Sequence, residues 1–379
     1  MKKITIVLDG VADRENEKLG GKTPLEYAHT PNLDALYRKS RSGVVKTIPE
    51  GMEVGSAVAN LSLLGFDPAT YRGRAVIEAA GLSMPIDEND LYIRANMVTF
   101  EGDTFEESSI KSYSAYDIAT EKAQPIAGAL AGAVFGGEYE LKYCGSFRNI
   151  LVVKGGKNLY PIDFMPAHDI IGRPIRQFIR TEGAQAPFFE LMKKSYAFLK
   201  GKGSDINGLW FWGASIMPEI AGDVAGRVAL SETLLMDGIT KISGIPNIGT
   251  VREGRSFEDF LQEKLEKAVE AANKYENIYV HIQETDDLSH ELMPLEKAQA
   301  VEVFDRVFLP GFLKSIQGGY TLKLVSDHFT FSDTGAHGGE SVPFLFYEPG
   351  AEERREGRYT ERDCRESGVE VSAAELNRW

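Results

Sequence analysis

The chain has 379 residues, 43% hydrophobic and 26% charged, a balance that suits a globular protein with one large domain and a smaller one. A formal net charge of −14 argues against nucleic acid or an anionic membrane surface as partner, so an anionic ligand would need locally clustered arginines. Cys144 and Cys364 are the two cysteines and lie outside any C-x-x-C, Met1-Lys2-Lys3 leads straight into a short strand too brief for a signal-peptide core, and no apolar run approaches a membrane span. These features point to a reducing cytoplasm.

The first element is the apolar run Ile4–Leu8, closed by Asp9-Gly10, which places a carboxylate at the C-terminal end of a buried strand, where open α/β sheets bind their ligands. Thr30-Pro31 opens an amphipathic helix, with Thr30 as N-cap and Pro31 in the first turn. A second helix is expected from Ser56 to Leu64, stopped by Gly65. Ser56 then sits at the positive end of that helix, where a hydroxyl, above all one touching a metal, can become a nucleophile. From Asp87 to Arg180 the pattern turns strand-rich and turn-broken, with Leu91–Phe100, Glu138–Tyr143 and Asn149–Val153, and reads as an inserted cap. Arg173–Arg180, containing Pro174, reads as the return hinge, and Ala186–Leu199 as the first helix back in the main domain. Ser256–Tyr275 is the clearest helix, capped by Ser256, with Phe257, Phe260, Leu261, Leu265 and Val269 at helical spacing. Strands and helices alternate through the remainder, which predicts a doubly wound, mainly parallel α/β sheet in residues 1–86 and 181–379, with residues 87–180 as the smaller α/β cap. The Glu- and Arg-rich tail after Gly350 reads as a solvated surface segment.

Three of the chain's six histidines fall in one pattern with carboxylates: Asp286 and His290 in E-T-D-D-L-S-H, Asp327 and His328 in S-D-H, and His337 in G-A-H-G-G. Imidazoles alternating with carboxylates suit a divalent transition ion, and this stretch holds enough of them for two. A lone D-x-x-x-H or Asp-His is common by chance. Here, however, Ile4–Leu8, Ile278–Ile282 and Leu322–Val325 are each followed by an acidic residue, Asp9, Asp286 and Asp327, and three such coincidences at one sheet edge argue for a site.

The strand-D-G start, T-P-N-L-D-A-L at Thr30–Leu36, G-S-x-V-A-N-L-S-L-L-G-F-D-P at Gly55–Pro68, and the later D-x-x-x-H, S-D-H and histidine, in that order, resemble the cofactor-independent phosphoglycerate mutases of archaeal type, within the alkaline phosphatase superfamily. The resemblance implies a core of alkaline-phosphatase type, a phosphoserine formed on Ser56, and two divalent ions, Mn or Zn or else Co. One ion would be held by Asp9, Ser56, Asp327 and His328, the other by Asp286, His290 and His337. The implied partner is a small phosphorylated acid.

Phosphate and carboxylate recognition calls for forked cations. Arg72, Arg74, Arg94, Arg148, Arg173 and Arg176 are the candidates; Arg74, Arg94 and Arg148 stand where relatives carry arginine, and His168-Asp169 also matches a family position. The substrate elements depart from the pattern. Relatives carry an acidic or imidazole acid/base element where this chain has Lys111 to Asp117; Ala57 follows the nucleophile instead of an acidic residue, Asn60 replaces histidine, and Arg252 an acidic position. A phosphotransferase of homoserine-kinase kind on another small hydroxy acid, and a metal-dependent phosphatase, therefore remain open beside the mutase. A metal-binding protein without turnover is disfavoured, since a structural site has no use for Ser56. Nothing in the sequence sets the oligomeric state.

Overall fold

The Lys2–Leu8 strand lies between two parallel neighbours, Tyr320–Val325 and Asn277–Ile282, and these three strands fix the position of everything that follows. The computed structural model describes residues 1–162, 164–202, 205–249, 252 and 254–379. The chain divides into two units, residues 1–71 with 220–379, and residues 72–219.

In the first unit the sheet order is Glu370–Ser372, Arg41–Lys46, Val342–Tyr347, Tyr320–Val325, Lys2–Leu8, Asn277–Ile282 and Arg227–Leu230. Every neighbouring pair is parallel except the two made by Val342–Tyr347. Strand alternation sends Ile4, Ile6 and Leu8 to one face, where with Val280, Leu322 and Leu324 they pack under the helices Pro31–Lys39 and Phe257–Lys274 and the aromatic stack Phe304, Phe308 and Phe312. Each such fully buried side chain contributes about 1.5–3 kcal/mol relative to exposure. Lys3, Thr5, Tyr279 and Lys323 point to the other face, lined by Leu63 and Leu64 at the end of the Ser56–Leu63 helix. Helices thus cover both faces, as a doubly wound sheet requires. Val7 is level with both Val325 and His281, so the three central strands end together and Asp9, Asp327 and the Glu284–His290 helix emerge from one edge.

The second unit is an antiparallel sheet. Leu91–Glu101 pairs with Ser109–Ser112, Arg148–Val153 and Gly208–Ser215, and Tyr139–Tyr143 flanks Arg148–Val153. Its core gathers Leu151, Phe188, Met192, Trp210 and Phe211.

Several expectations are corrected. The unit boundaries lie at 71/72 and 219/220, outside the expected 86/87 and 180/181. Gly208–Ser215 pairs with Leu91–Glu101, so Ala186–Leu199, whose Phe188, Met192 and Leu199 are buried in the second core, belongs there and not to the main domain. Arg173–Arg180 is no hinge: Ile175 is fully buried, its N–H donates to Ser108 O, and Pro174 and Ile171 bridge to Ser109 and Ile110. Thr30 occupies the N-cap position without capping. Asp305 instead accepts from Leu33 N–H at 2.6 Å, a partner hundreds of residues away in sequence that no local reading supplies. The tail is not a solvated segment either. Tyr359, Cys364 and Leu376, apolar residues spaced among the charges, are fully buried, and Glu370–Ser372 adds the edge strand.

Candidate functional site

Asp9 is fully buried, its N–H bonded to Ile282 O, and among the described residues neither oxygen of its carboxylate has a hydrogen-bond donor. A buried carboxylate without donors is costly unless a cation meets it. Gly10 makes the turn beyond it in the left-handed region, φ +58°, and donates its N–H to Asp327 Oδ1 at 3.0 Å. A Cβ there would stand 2.3 Å from Thr330 Oγ1 and 2.7 Å from Asp286 Oδ1, so the close approach of these groups demands glycine. Ser56 is the first residue of its helix, and its Oγ lies 2.9 Å from His328 Nε2. The same nitrogen stands 3.5 Å from Asp9 Oδ1 and 3.4 Å from Asp327 Oδ2.

Proton counting fixes the tautomer of His328. Thr330 Oγ1 donates its one proton to Asp286 Oδ1 at 2.8 Å, so toward His328 Nδ1, 3.0 Å away, it acts as acceptor. Nδ1 therefore carries the hydrogen, and Nε2 presents a lone pair to Ser56 and the two aspartates. Burial pushes His328 below its ordinary pKa, in keeping with a neutral ring.

The other set forms on the Glu284–His290 helix, where Asp286 and His290 are one turn apart on the same face. His290 Nε2 is 3.3 Å from Asp286 Oδ2, and His337 Nε2 is 3.4 Å from Asp286 Oδ1. His337 reaches the site because its short strand pairs with Phe329–Thr330, directly after His328. Potential ligand atoms lie within 4.8 Å of one another in Asp9, Asp327 and His328, and likewise in Asp286, His290 and His337. Burial, then the charges of Asp327 and Asp286, raises the Asp9 carboxyl well above its ordinary range. Burial also acts on Asp286, but hydrogen bonds from His290 and His337 overcome it and hold that carboxyl far below the usual value. Packed acids at this spacing repel one another, and their donor set of carboxylate oxygens and imidazole nitrogens fits divalent cations.

Three residues escaped the sequence reading. Asn60, completely buried, donates to Asp327 Oδ2 at 3.0 Å and to Ser56 O at 2.8 Å, while Tyr279 OH donates to Asn60 Oδ1 at 2.6 Å. Asn60 thus orients a carboxylate of the site, in a position noted only as a departure from relatives. His281 Nε2 sits 3.0 Å from Asp9 Oδ2, without hydrogen-bond geometry. Its signal was available, an imidazole inside the otherwise apolar I-Y-V-H-I strand.

The expected substrate residues lie in the second unit. Arg74 and Arg94 both pair with Glu78, at 2.7 and 3.1 Å, and the Arg94 guanidinium stacks 3.8 Å above the Trp212 ring. His168 packs edge-on against Trp212 and Tyr113, with Asp169 3.6 Å from its Nε2. Arg148 stands opposite Asn96, whose Oδ1 accepts from Trp212 Nε1, so Arg94, Arg148 and His168 are gathered around one aromatic patch. Arg173 covers Phe178, and Arg72 and Arg176 are exposed. Lys111 is held by Glu101, and Ala115, Tyr116 and Asp117 are three successive left-handed residues, none a glycine. Arg252 pairs with Glu284 in the first unit; Thr250 and Val251 beside it lie outside the described residues.

A helix-start serine flanked by two carboxylate–imidazole sets, at the C-terminal edge of a mainly parallel sheet, defines the class: a phosphoryl-transfer enzyme with candidate metal-binding groups. The pattern of the family described as 2,3-bisphosphoglycerate-independent phosphoglycerate mutase matches residues 38–204. The enzyme of that name from Methanosarcina barkeri is 32% identical over 92% of this chain and 90% of its own. A probable one from Geobacter sulfurreducens is 30% identical, covering 98% and 97%. Among solved structures, the PH0037 protein from Pyrococcus horikoshii has a TM-score of 0.76 at 25% identity, covering 100% of this chain and 95% of its own. The cofactor-independent phosphoglycerate mutase of Thermoplasma acidophilum shares the fold, with a TM-score of 0.66 at 24% identity over 99% and 98%. The chain belongs to the 2,3-bisphosphoglycerate-independent phosphoglycerate mutase family.

Proposed function

We propose that this chain interconverts 3-phosphoglycerate and 2-phosphoglycerate through a phosphoserine at Ser56. The observation that carries the reading is the Ser56 Oγ to His328 Nε2 contact of 2.9 Å beside an Asp9 carboxylate that has no donor among the described residues. Asp9, Asp327, His328 and Ser56 would hold one divalent ion, and Asp286, His290 and His337 another, with Mn or Zn, or else Co, as the metal. Bound there, such ions supply Lewis-acid neutralisation of the phosphoryl oxygens.

Ser56 Oγ, at the positive end of its helix, attacks phosphorus in line as its proton leaves, and the bond from phosphorus to the glycerate oxygen breaks. The freed glycerate alkoxide takes up that proton and becomes a hydroxyl; after reorientation the acid's other hydroxyl attacks the phosphoserine, the phosphorus–Oγ bond breaks, and the proton this hydroxyl loses restores the Ser56 hydroxyl. Arg74, Arg94 and Arg148, with His168, Asp169, Arg173 and Arg176 as further candidates, would bind the acid's carboxylate and phosphate. Stacking on Trp212 and pairing with Glu78 hold the Arg94 guanidinium in one orientation. Cytoplasmic location is part of the proposal, and no helix among the described residues is long and apolar enough to cross a membrane.

A second reading, transfer to another small hydroxy acid, draws on the Lys111–Asp117 segment, where Lys111 is paired with Glu101 and the backbone is strained. Phosphorus NMR on a panel of phosphorylated and hydroxylated small acids, with and without ATP, separates the two. Rapid acid quench during turnover, followed by mass spectrometry, should find phosphate on Ser56, and Ser56→Ala should bind Mn with turnover abolished. An unmodified Ser56 during steady turnover would sink the covalent route.

A further inference from the structure

Away from the ligand edge, the first unit has a half-open cavity of about 410 Å³ on the sheet face covered by the Ser56–Leu63 helix, with Lys3 and Arg378 among its exposed lining. Its charged lining is Lys3, Arg227, Lys323 and Arg378, with no carboxylate. In a chain of formal net charge −14, four cations around one cavity without an acid run against the overall balance. Lys323 is the telling member. It occupies a central strand position 5% exposed, where a parallel sheet normally places an apolar side chain, and among the described residues its ammonium makes no hydrogen bond or ion pair. Lys3, Arg227 and Arg378 also make no ion pair among the described residues, although Arg227 donates to Leu64 O at 2.8 Å. The Lys323 stem is buried while its ammonium still reaches the cavity, and burial, then Lys3, pushes the Lys323 pKa down to about 8. An anion in the cavity would relieve both effects.

We propose that this cavity is an effector site for a phosphate group, free or carried on a small metabolite, and that its occupancy is felt at Ser56. Volume and a mixed wall of cations and aliphatic side chains suit a small ligand. Coupling has a physical route. Tyr279 lines the cavity, and its hydroxyl donates to Asn60 Oδ1 at 2.6 Å; Asn60 in turn donates to Asp327 Oδ2 at 3.0 Å and to Ser56 O at 2.8 Å. Leu64, in the cavity wall, ends the helix that begins at Ser56. The binding site stands independently of the mutase reading, whereas the coupling rests on it.

Titration calorimetry of the full-length, metal-loaded protein with inorganic phosphate should resolve two sites. Lys323→Met should remove or weaken the effector site by at least about tenfold, the loss of one charge-assisted hydrogen bond. Arg378→Ala, an exposed change that does not burden folding, should weaken the same site. Asp327→Asn should remove the other one. Glycerol 3-phosphate serves as a second probe: binding there assigns the site to an ester, and binding of inorganic phosphate alone to the free ion. In kinetics, phosphate should alter kcat at saturating substrate, where competition at the catalytic site is overcome, and Lys323→Met and Arg378→Ala should leave only the competitive component. A single phosphate site that vanishes in Asp327→Asn, or two sites untouched by Lys323→Met and Arg378→Ala, overturns the cavity as an anion site. Two sites with an unchanged kcat overturn the coupling. Absence of any phosphoserine, with the cavity still binding phosphate, would instead count against the mutase mechanism alone.

Discussion

Glu361 couples the stability of the first unit to pH. Its side chain is almost wholly buried in the first unit, with Oε1 accepting from Asp13 N–H at 2.9 Å and Oε2 from Thr23 Oγ1 at 2.7 Å. Burial raises its pKa from 4.5 to about 7, against hydrogen bonds from Thr23 and Asp13 that lower it. The folded value lies above the unfolded one, so the fold favours the protonated acid. Its contribution is complete below pH 4.5 and is lost as pH climbs through about 7. A shift of this size corresponds to roughly 3 kcal/mol, at about 1.4 kcal/mol per pKa unit. Glu361→Gln keeps an oxygen for Asp13 N–H and does not ionise. Relative to the parent, it should gain about 3 kcal/mol between pH 4.5 and 8. Native-state hydrogen exchange of the Lys2–Leu8 amides reports opening of this unit, and comparing the two proteins at each pH cancels the intrinsic pH dependence of exchange. Stability curves that stay parallel across that range would refute the assigned pKa and its cause.

Gly10→Ala should destabilise by at least about 1–2 kcal/mol for its left-handed backbone, and should weaken Mn binding by calorimetry, since the new Cβ would displace Thr330 and Asp286. Asn60→Ala removes the donor to Asp327 and should lower Mn affinity by about 10–100-fold while the protein stays folded by circular dichroism. Asp9→Asn should raise the melting temperature of chelator-treated protein, because it relieves repulsion among Asp9, Asp327 and Asp286, and lower that of metal-saturated protein. Adding metal to about 100 times its Kd should stabilise the parent by roughly 2.7 kcal/mol in the same scanning calorimetry, and Asp9→Asn by much less.

The sequence by itself determined the parts whose signal is local. Ile4–Leu8 ends in Asp9-Gly10, the Ser56 helix stops before Gly65 at φ +83°, and Ser256 accepts from Asp259 N–H as an N-cap. Tertiary structure decided whatever depends on partners far along the chain. Gly208–Ser215 joins Leu91–Glu101 across more than a hundred residues, and that pairing moved the second unit boundary to 219/220. Asp305 took the capping role expected of Thr30, and Tyr359, Cys364 and Leu376 drew a charge-rich tail into the core. The tautomer of His328 follows from one hydroxyl proton on Thr330, and the setting of Asp327 from Asn60 and Tyr279. Periodicity and end signals are carried by neighbouring residues, whereas hydrogen-bond satisfaction in a buried site is settled only when distant strands bring donor and acceptor together.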